Sequence, residues 1–127
     1  MTYSIIYIAQ NDNKGSFMIA REEITAGLAL ELRRGNIVLC VLSQLKKPMY
    51  GYSLVDVLTE GGMPVETNTL YPLLRRLEKQ GLLESFWETS GAKPRKYYKI
   101  TELGECVYLD LKGQWEASTK IMRKLLG

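Results

Sequence analysis

Between Thr67 and Gly81 four leucines, Leu70, Leu73, Leu74 and Leu77, recur at the i, i+3, i+4, i+7 spacing of one helix face. This stretch constrains the fold more than any other, because it defines both sides of a helix. At about 100° per residue, the opposite side carries Asn68, Pro72, Arg75 and Lys79, with Arg76 beside them. Thr67 or Thr69 can cap such a helix, Pro72 falls near its first turn, and Gly81 is a natural terminator. The leucine stripe therefore needs a layer to pack on, while the basic strip stays outside.

The flanking segments supply that layer. Upstream, Arg21 to Leu32 suits a short helix, which Gly35 is expected to interrupt. Asn36 to Lys47 reads as a buried helix, with Ile37, Val38, Leu39, Val41, Leu42 and Leu45 around most of its circumference and Pro48 closing it. A second short helix spans Tyr52 to Glu60, with Leu54, Val57 and Leu58 at helical spacing and Gly61-Gly62 at its end. Downstream, Leu82–Glu88 and Arg95–Ile100 are two β-capable runs around the turn-rich Thr89–Pro94, which reads as a hairpin. Trp87, Tyr97 and Tyr98 are expected to pack within it.

Thr101 is an N-cap, with Glu102 and Glu105 well placed for the first turn of a last helix. Leu103, Val107, Leu111, Trp115, Ser118, Met122 and Leu125 form a seam along that helix near the coiled-coil period. Three helices, a two-stranded hairpin and a final helix are the order of a winged helix-turn-helix. The expected fold is thus mainly α with a small β-hairpin, a winged helix-turn-helix plus a C-terminal dimerisation helix. The expected divisions are an N-terminal arm (1–20), the winged helix-turn-helix (21–100) and the dimerisation helix (101–127). The arm reads as mobile, or alternatively as a segment packing on a partner subunit.

Charge locates a partner. The net charge is +3. Residues 67–100 carry seven basic side chains against three acidic ones, so this third of the chain holds more than the whole excess. Concentrated positive charge is the footprint of a polyanion. The helix residues Asn68, Thr69, Tyr71, Arg75, Arg76 and Lys79, with the hairpin residues Lys93, Arg95 and Lys96, are the candidate contacts to double-stranded DNA. Arg reads guanine and Asn reads adenine bidentately, while hydroxyls and cations hold phosphates. A solvated surface would carry the same charges, but a helix strip and a hairpin tip that are basic together favour nucleic acid.

Other classes find little support. There is no histidine, and Cys40 and Cys106 are not at metal-ligand spacing, so no metal or cofactor is expected. No nucleophile–base pair or phosphate-cradling glycine loop marks an enzyme. The longest apolar run, Ile37 to Leu42, is far short of the roughly 20 residues of a membrane helix. Ile5, Ile6, Tyr7 and Ile8 follow no basic residue, so they do not read as an export signal, and a cytoplasmic location is expected. A winged helix used for protein–protein contact without DNA binding is the alternative reading. Non-specific DNA packing is a further one.

The strings Arg34-Gly35, Pro48-Met49-Tyr50-Gly51-Tyr52, the run TLYPLLRRLEKQGL from Thr69 to Leu82 and the run RKYYKITELG from Arg95 to Gly104 resemble the PadR family of transcriptional regulators. The resemblance covers roughly residues 24–126. It implies a winged helix-turn-helix whose third helix, here Asn68 to Lys79, reads DNA, with a wing at Thr89 to Lys96. It also implies a homodimer through the last helix, with Leu103, Val107, Leu111, Trp115, Met122 and Leu125 at the interface. A single C-terminal helix is similar to the short-chain subgroup, which includes multidrug-binding repressors with a tryptophan facing a pore at the dimer centre. Trp115 stands at the matching place, which implies a planar hydrophobic effector. From the residues alone, Trp115 reads first as a packed interface anchor rather than a ligand platform, and only the resemblance brings the two readings level. The first 20 residues depart from the family pattern.

Overall fold

The structure, a computed structural model, describes residues 14–127. The Ile5–Ile8 cluster and the first thirteen positions of the expected arm lie outside the described residues. The chain divides into two compact units between Asn36 and Ile37.

Helix α1 runs unbroken over Lys14–Gln44. It starts inside the segment read as an arm, so residues 14–20 are helical. It also passes through Gly35 without interruption. Gly35 does not take a left-handed backbone. A helical glycine costs only about 0.5–1 kcal/mol relative to alanine, too little to end a helix that Ile37, Val41 and Leu42 anchor by burial. Within residues 14–36, Phe17, Ile19, Leu28, Leu30 and Leu32 are exposed in the single chain.

In the second unit, the end of α1 leads to strand β1 (Met49–Tyr50), helix α2 (Gly51–Glu60), helix α3 (Thr67–Lys79), strands β2 (Leu83–Glu88) and β3 (Arg95–Ile100), and helix α4 (Glu102–Leu126). The strands make an antiparallel sheet in the order β1-β3-β2. The hairpin was legible in the alternation of large residues. The third strand was not, because two residues show no period. The core joins Val41, Leu42 and Leu45 to Leu54, Leu58, Leu70, Leu74 and Leu77, and then to Leu83, Tyr98 and Ile100 of the sheet. Each such side chain contributes about 1.5–3 kcal/mol by leaving water. Leu70, Leu74 and Leu77 of the expected stripe are buried, and Leu73 packs at its edge.

The helix ends differ from expectation in detail. The α3 N-cap is Glu66, with no side-chain hydrogen bond, rather than a threonine. Pro72 sits inside the helix, past the first turn. It removes one backbone donor there, a loss offset by the three leucines that hold α3 on the core. Gly81, at φ +82°, follows the Gln80 cap and turns the chain out of the helix. At α4, Thr101 is the N-cap as expected, its hydroxyl accepting from the Gly104 N–H at 3.0 Å.

The start of α4 is tied tightly to the end of α3. Thr101 donates its N–H to the Leu82 carbonyl at 3.0 Å and its hydroxyl to the Gly81 carbonyl at 2.6 Å. Gly104 is buried, and a Cβ there would run into the Leu82 carbonyl and the Ile100 side chain.

Candidate nucleic-acid interface

The leucine side of α3 is consumed by the core, which leaves the other side in solvent. Asn68, Thr69, Pro72, Arg75, Arg76 and Lys79 are all exposed, and Tyr71 is half-buried. No backbone feature has to be invoked for this orientation; the spacing of the leucines dictates it.

Strand alternation and register sort the hairpin into two faces. Leu83, Ser85 and Trp87 share the inner face with Ile100, Tyr98 and Lys96, while Glu84, Phe86 and Glu88 share the outer face with Lys99, Tyr97 and Arg95. The hairpin cations therefore do not act alike. Lys96 turns inward, where its Nζ lies 3.6 Å from Glu78 Oε1 of α3 and 5.3 Å from the centre of the Tyr98 ring. Ser85 donates a hydrogen bond to the other Glu78 oxygen. Glu78 thus pins β2 and β3 to α3. The pair is about one-third exposed, and such ion pairs contribute at most about 1 kcal/mol. Its main effect is geometric. Arg75, Arg76, Glu78, Lys79 and Lys96 line one open hollow of about 620 Å³ in which cations outnumber the single carboxylate.

Trp87 is a correction. It was expected to pack in the hairpin, yet it is 62% exposed. It lies on the inner face opposite Lys96, nearer the hairpin loop than the buried Tyr98. Tyr98 is buried and Tyr97 is half-buried, as expected for wing and core packing.

The outer face begins a row of aromatic rings that the sequence reading did not bring together. Phe86 stacks on Tyr97, with centroids 5.6 Å apart. Tyr97 meets Tyr50 at 6.0 Å, Tyr50 meets Tyr52 at 5.9 Å, and Tyr52 meets Tyr71 at 6.1 Å. Five rings thus run without a gap from the hairpin, through β1 and α2, to α3. Arg95 lies over the Tyr50 ring, its guanidinium carbon 4.8 Å from the centroid. Tyr50, Tyr52, Tyr97, Arg95, Lys93 and the loop line a groove of about 700 Å³. At the loop, Ser90 donates both its N–H, at 2.9 Å, and its hydroxyl, at 2.6 Å, to Glu88 Oε1. Those bonds, the hydroxyl one first, lower the pKa of Glu88 and keep it ionised. Burial, and next the neighbouring Tyr52, push the Tyr71 hydroxyl above the ordinary tyrosine value. The only signal for this row in the sequence was the density of tyrosines at 50, 52, 71 and 97; β1 was needed to bring them together.

On α4, Leu103, Trp115, Met122 and Leu125 are exposed, while Val107 is half-buried and Leu111 packs in part against the core. Among the described residues no cluster of three or more metal-ligating side chains occurs, and no helix is long and apolar enough to cross a membrane.

The sequence matches the PadR-like transcriptional regulator family over residues 38–108, which span the end of α1, both middle helices, the hairpin and the start of α4. The chain belongs to the PadR-like family. A PadR family transcriptional regulator from Eggerthella lenta is 51% identical and superposes with a TM-score of 0.80, covering 85% of this chain and 96% of that one. A transcriptional regulator from Clostridium thermocellum is 29% identical at a TM-score of 0.70, over 76% and 99% of the two chains. The transcriptional regulator Rv3488 of Mycobacterium tuberculosis is 30% identical over 98 residues, covering 76% of this chain and 89% of the relative. The PadR-like fold here is the winged helix expected from the sequence, and its function is regulatory, through DNA, rather than enzymatic.

Proposed function

We propose that the protein is a cytoplasmic, homodimeric, sequence-specific repressor that binds palindromic operators and is released by a planar hydrophobic compound. The observation that carries the DNA reading is the hollow shared by α3 and β3, where Arg75, Arg76, Lys79 and Lys96 present one positive surface. Asn68, Thr69, Tyr71, Arg75 and Arg76 are proposed to meet base edges and nearby phosphates. Lys79, Lys93, Arg95 and Lys96 are proposed to neutralise the backbone. Two recognition helices related by a dyad require half-sites about one helical turn, roughly 34 Å, or a multiple apart.

Dimerisation is proposed through the α4 seam of Leu103, Val107, Leu111, Trp115, Met122 and Leu125. Support comes from the exposure of Leu103, Trp115, Met122 and Leu125 of that seam. A two-fold axis there brings Trp115 near its symmetry mate, and a flat aromatic compound fits between two indoles. Such a ligand lifts repression only by preferring a dimer whose helices no longer match the half-site spacing.

Selection from a random DNA pool tests the first part. A recovered palindrome whose affinity falls steeply with salt supports it, and recovery of random sequence alone refutes it. Titration of planar dyes against tryptophan fluorescence tests the second. Quenching should vanish in Trp115→Ala, where Trp87 remains as background; quenching that persists assigns the dye to another site.

A further inference from the structure

We infer that Tyr50 is a positioning residue for DNA binding, holding the Arg95 guanidinium at the wing in the pose it uses on the duplex. The inference rests on the proposed role of the wing as a DNA contact. Arg95 is exposed at the first position of β3. A free arginine there would sample many rotamers and lose that freedom on binding. Instead its guanidinium lies on the Tyr50 ring, 4.8 Å from the centroid. A guanidinium stacked by its face on an aromatic ring keeps its N–H edge free to fork onto a phosphate or a base.

The ring beneath it is itself fixed. Tyr50 stands opposite Tyr97 in the β1–β3 pairing. Its ring is held between Tyr97, tilted at 42°, and Tyr52, edge-on at 60°. Tyr52 in turn meets Tyr71 of α3 at 6.1 Å. The wing cation is therefore indexed, ring by ring, to the recognition helix rather than to the hairpin loop. Glu88, the carboxylate directly across the hairpin from Arg95, has its Oε1 engaged by the Ser90 N–H and hydroxyl. Two cations of the hairpin are thus held from opposite sides: Lys96 by Glu78 on the inner face, and Arg95 by Tyr50 on the outer one.

The test is a double-mutant cycle on the full-length protein. Fluorescence anisotropy would use a labelled duplex recovered by random-pool selection. Arg95→Ala should weaken binding about tenfold, within the range for a direct DNA contact. Tyr50→Leu should weaken it about two- to fivefold, as expected for loss of an exposed cation–π contact. In the Arg95→Ala background Tyr50→Leu should do nothing further, and Tyr50→Phe should bind like the parent. Equal losses from Tyr50→Leu with and without Arg95 would overturn the inference while leaving the wing as a DNA contact. No loss in Arg95→Ala would overturn both. A second readout needs no DNA. In the free protein, NMR should find the Arg95 δ-methylene protons shifted upfield by the Tyr50 ring. The shift should persist in Tyr50→Phe and be lost in Tyr50→Leu, with the remaining spectrum retained. Arg95 protons at ordinary random-coil positions in the parent would overturn the inference outright.

Discussion

At the scale of single residues, the proposed interface divides into groups assigned to reading bases and groups assigned to holding the backbone. Arg75 is exposed on α3 with its guanidinium free to approach a base edge. Arg75→Ala should cost on the order of 1–3 kcal/mol on the selected operator and little on random duplex, if the contact is bidentate to a base. Lys96→Ala should weaken all duplexes alike and reduce the salt slope by about one unit. Gel-shift titrations at several salt concentrations separate the two. Equal loss on both duplexes for Arg75→Ala would move it to the phosphate class. Tyr71 gives a pH prediction. Its pKa is raised in the folded chain, so the folded state favours the neutral phenol. That contribution is complete below the unfolded pKa of about 10 and is lost as pH climbs through the folded value. Urea midpoints should therefore hold steady through neutral pH and fall above pH ~10, less steeply in Tyr71→Phe. Most residues of the strip were legible in the sequence, because leucine spacing dictates which side chains are left outside. The opposed roles of Arg95 and Lys96 were not, since neighbouring strand residues point to opposite faces and only the register shows which face is inner.

At the scale of elements, stability is unevenly distributed. Gly35 lies within α1, has no left-handed backbone, and a Cβ there would meet nothing within 4 Å. Gly35→Ala should stabilise the protein by about 0.5–1 kcal/mol, read as a raised melting temperature. Unchanged or lowered stability would show that the space around Gly35 is filled in the assembled protein. Thr101→Ala should do the reverse. It removes the cap on α4 and the hydroxyl bond to Gly81, and should cost about 1–2 kcal/mol. Helix existence and the hairpin were readable from apolar periods. The errors fell at helix α1 and at the two-residue β1. A glycine was given more authority than its cost justifies, and a strand that short carries no pattern of its own. The missing β1 also hid the tyrosine row that it assembles.

At the scale of the whole molecule, the large apolar residues left exposed on α4 point to association. Leu111→Asp with Met122→Asp would place two charges in the proposed seam, each buried against a partner at high cost. Sedimentation should find the double variant monomeric at concentrations where the parent is dimeric; a dimer in both would relocate the interface. The joint between α3 and α4 then acquires a mechanical meaning. Two hydrogen bonds from Thr101, and a glycine with no room for a methyl group, leave that joint without slack. Helix α4, with its 25 residues, is about 37 Å long, so a sideways displacement of about 3 Å at its far end amounts to a rotation of about 5° at the joint. A rigid lever cannot absorb that rotation. In the proposed dimer, whatever pries the far ends of the two α4 levers apart would also turn the helices fixed at their near ends.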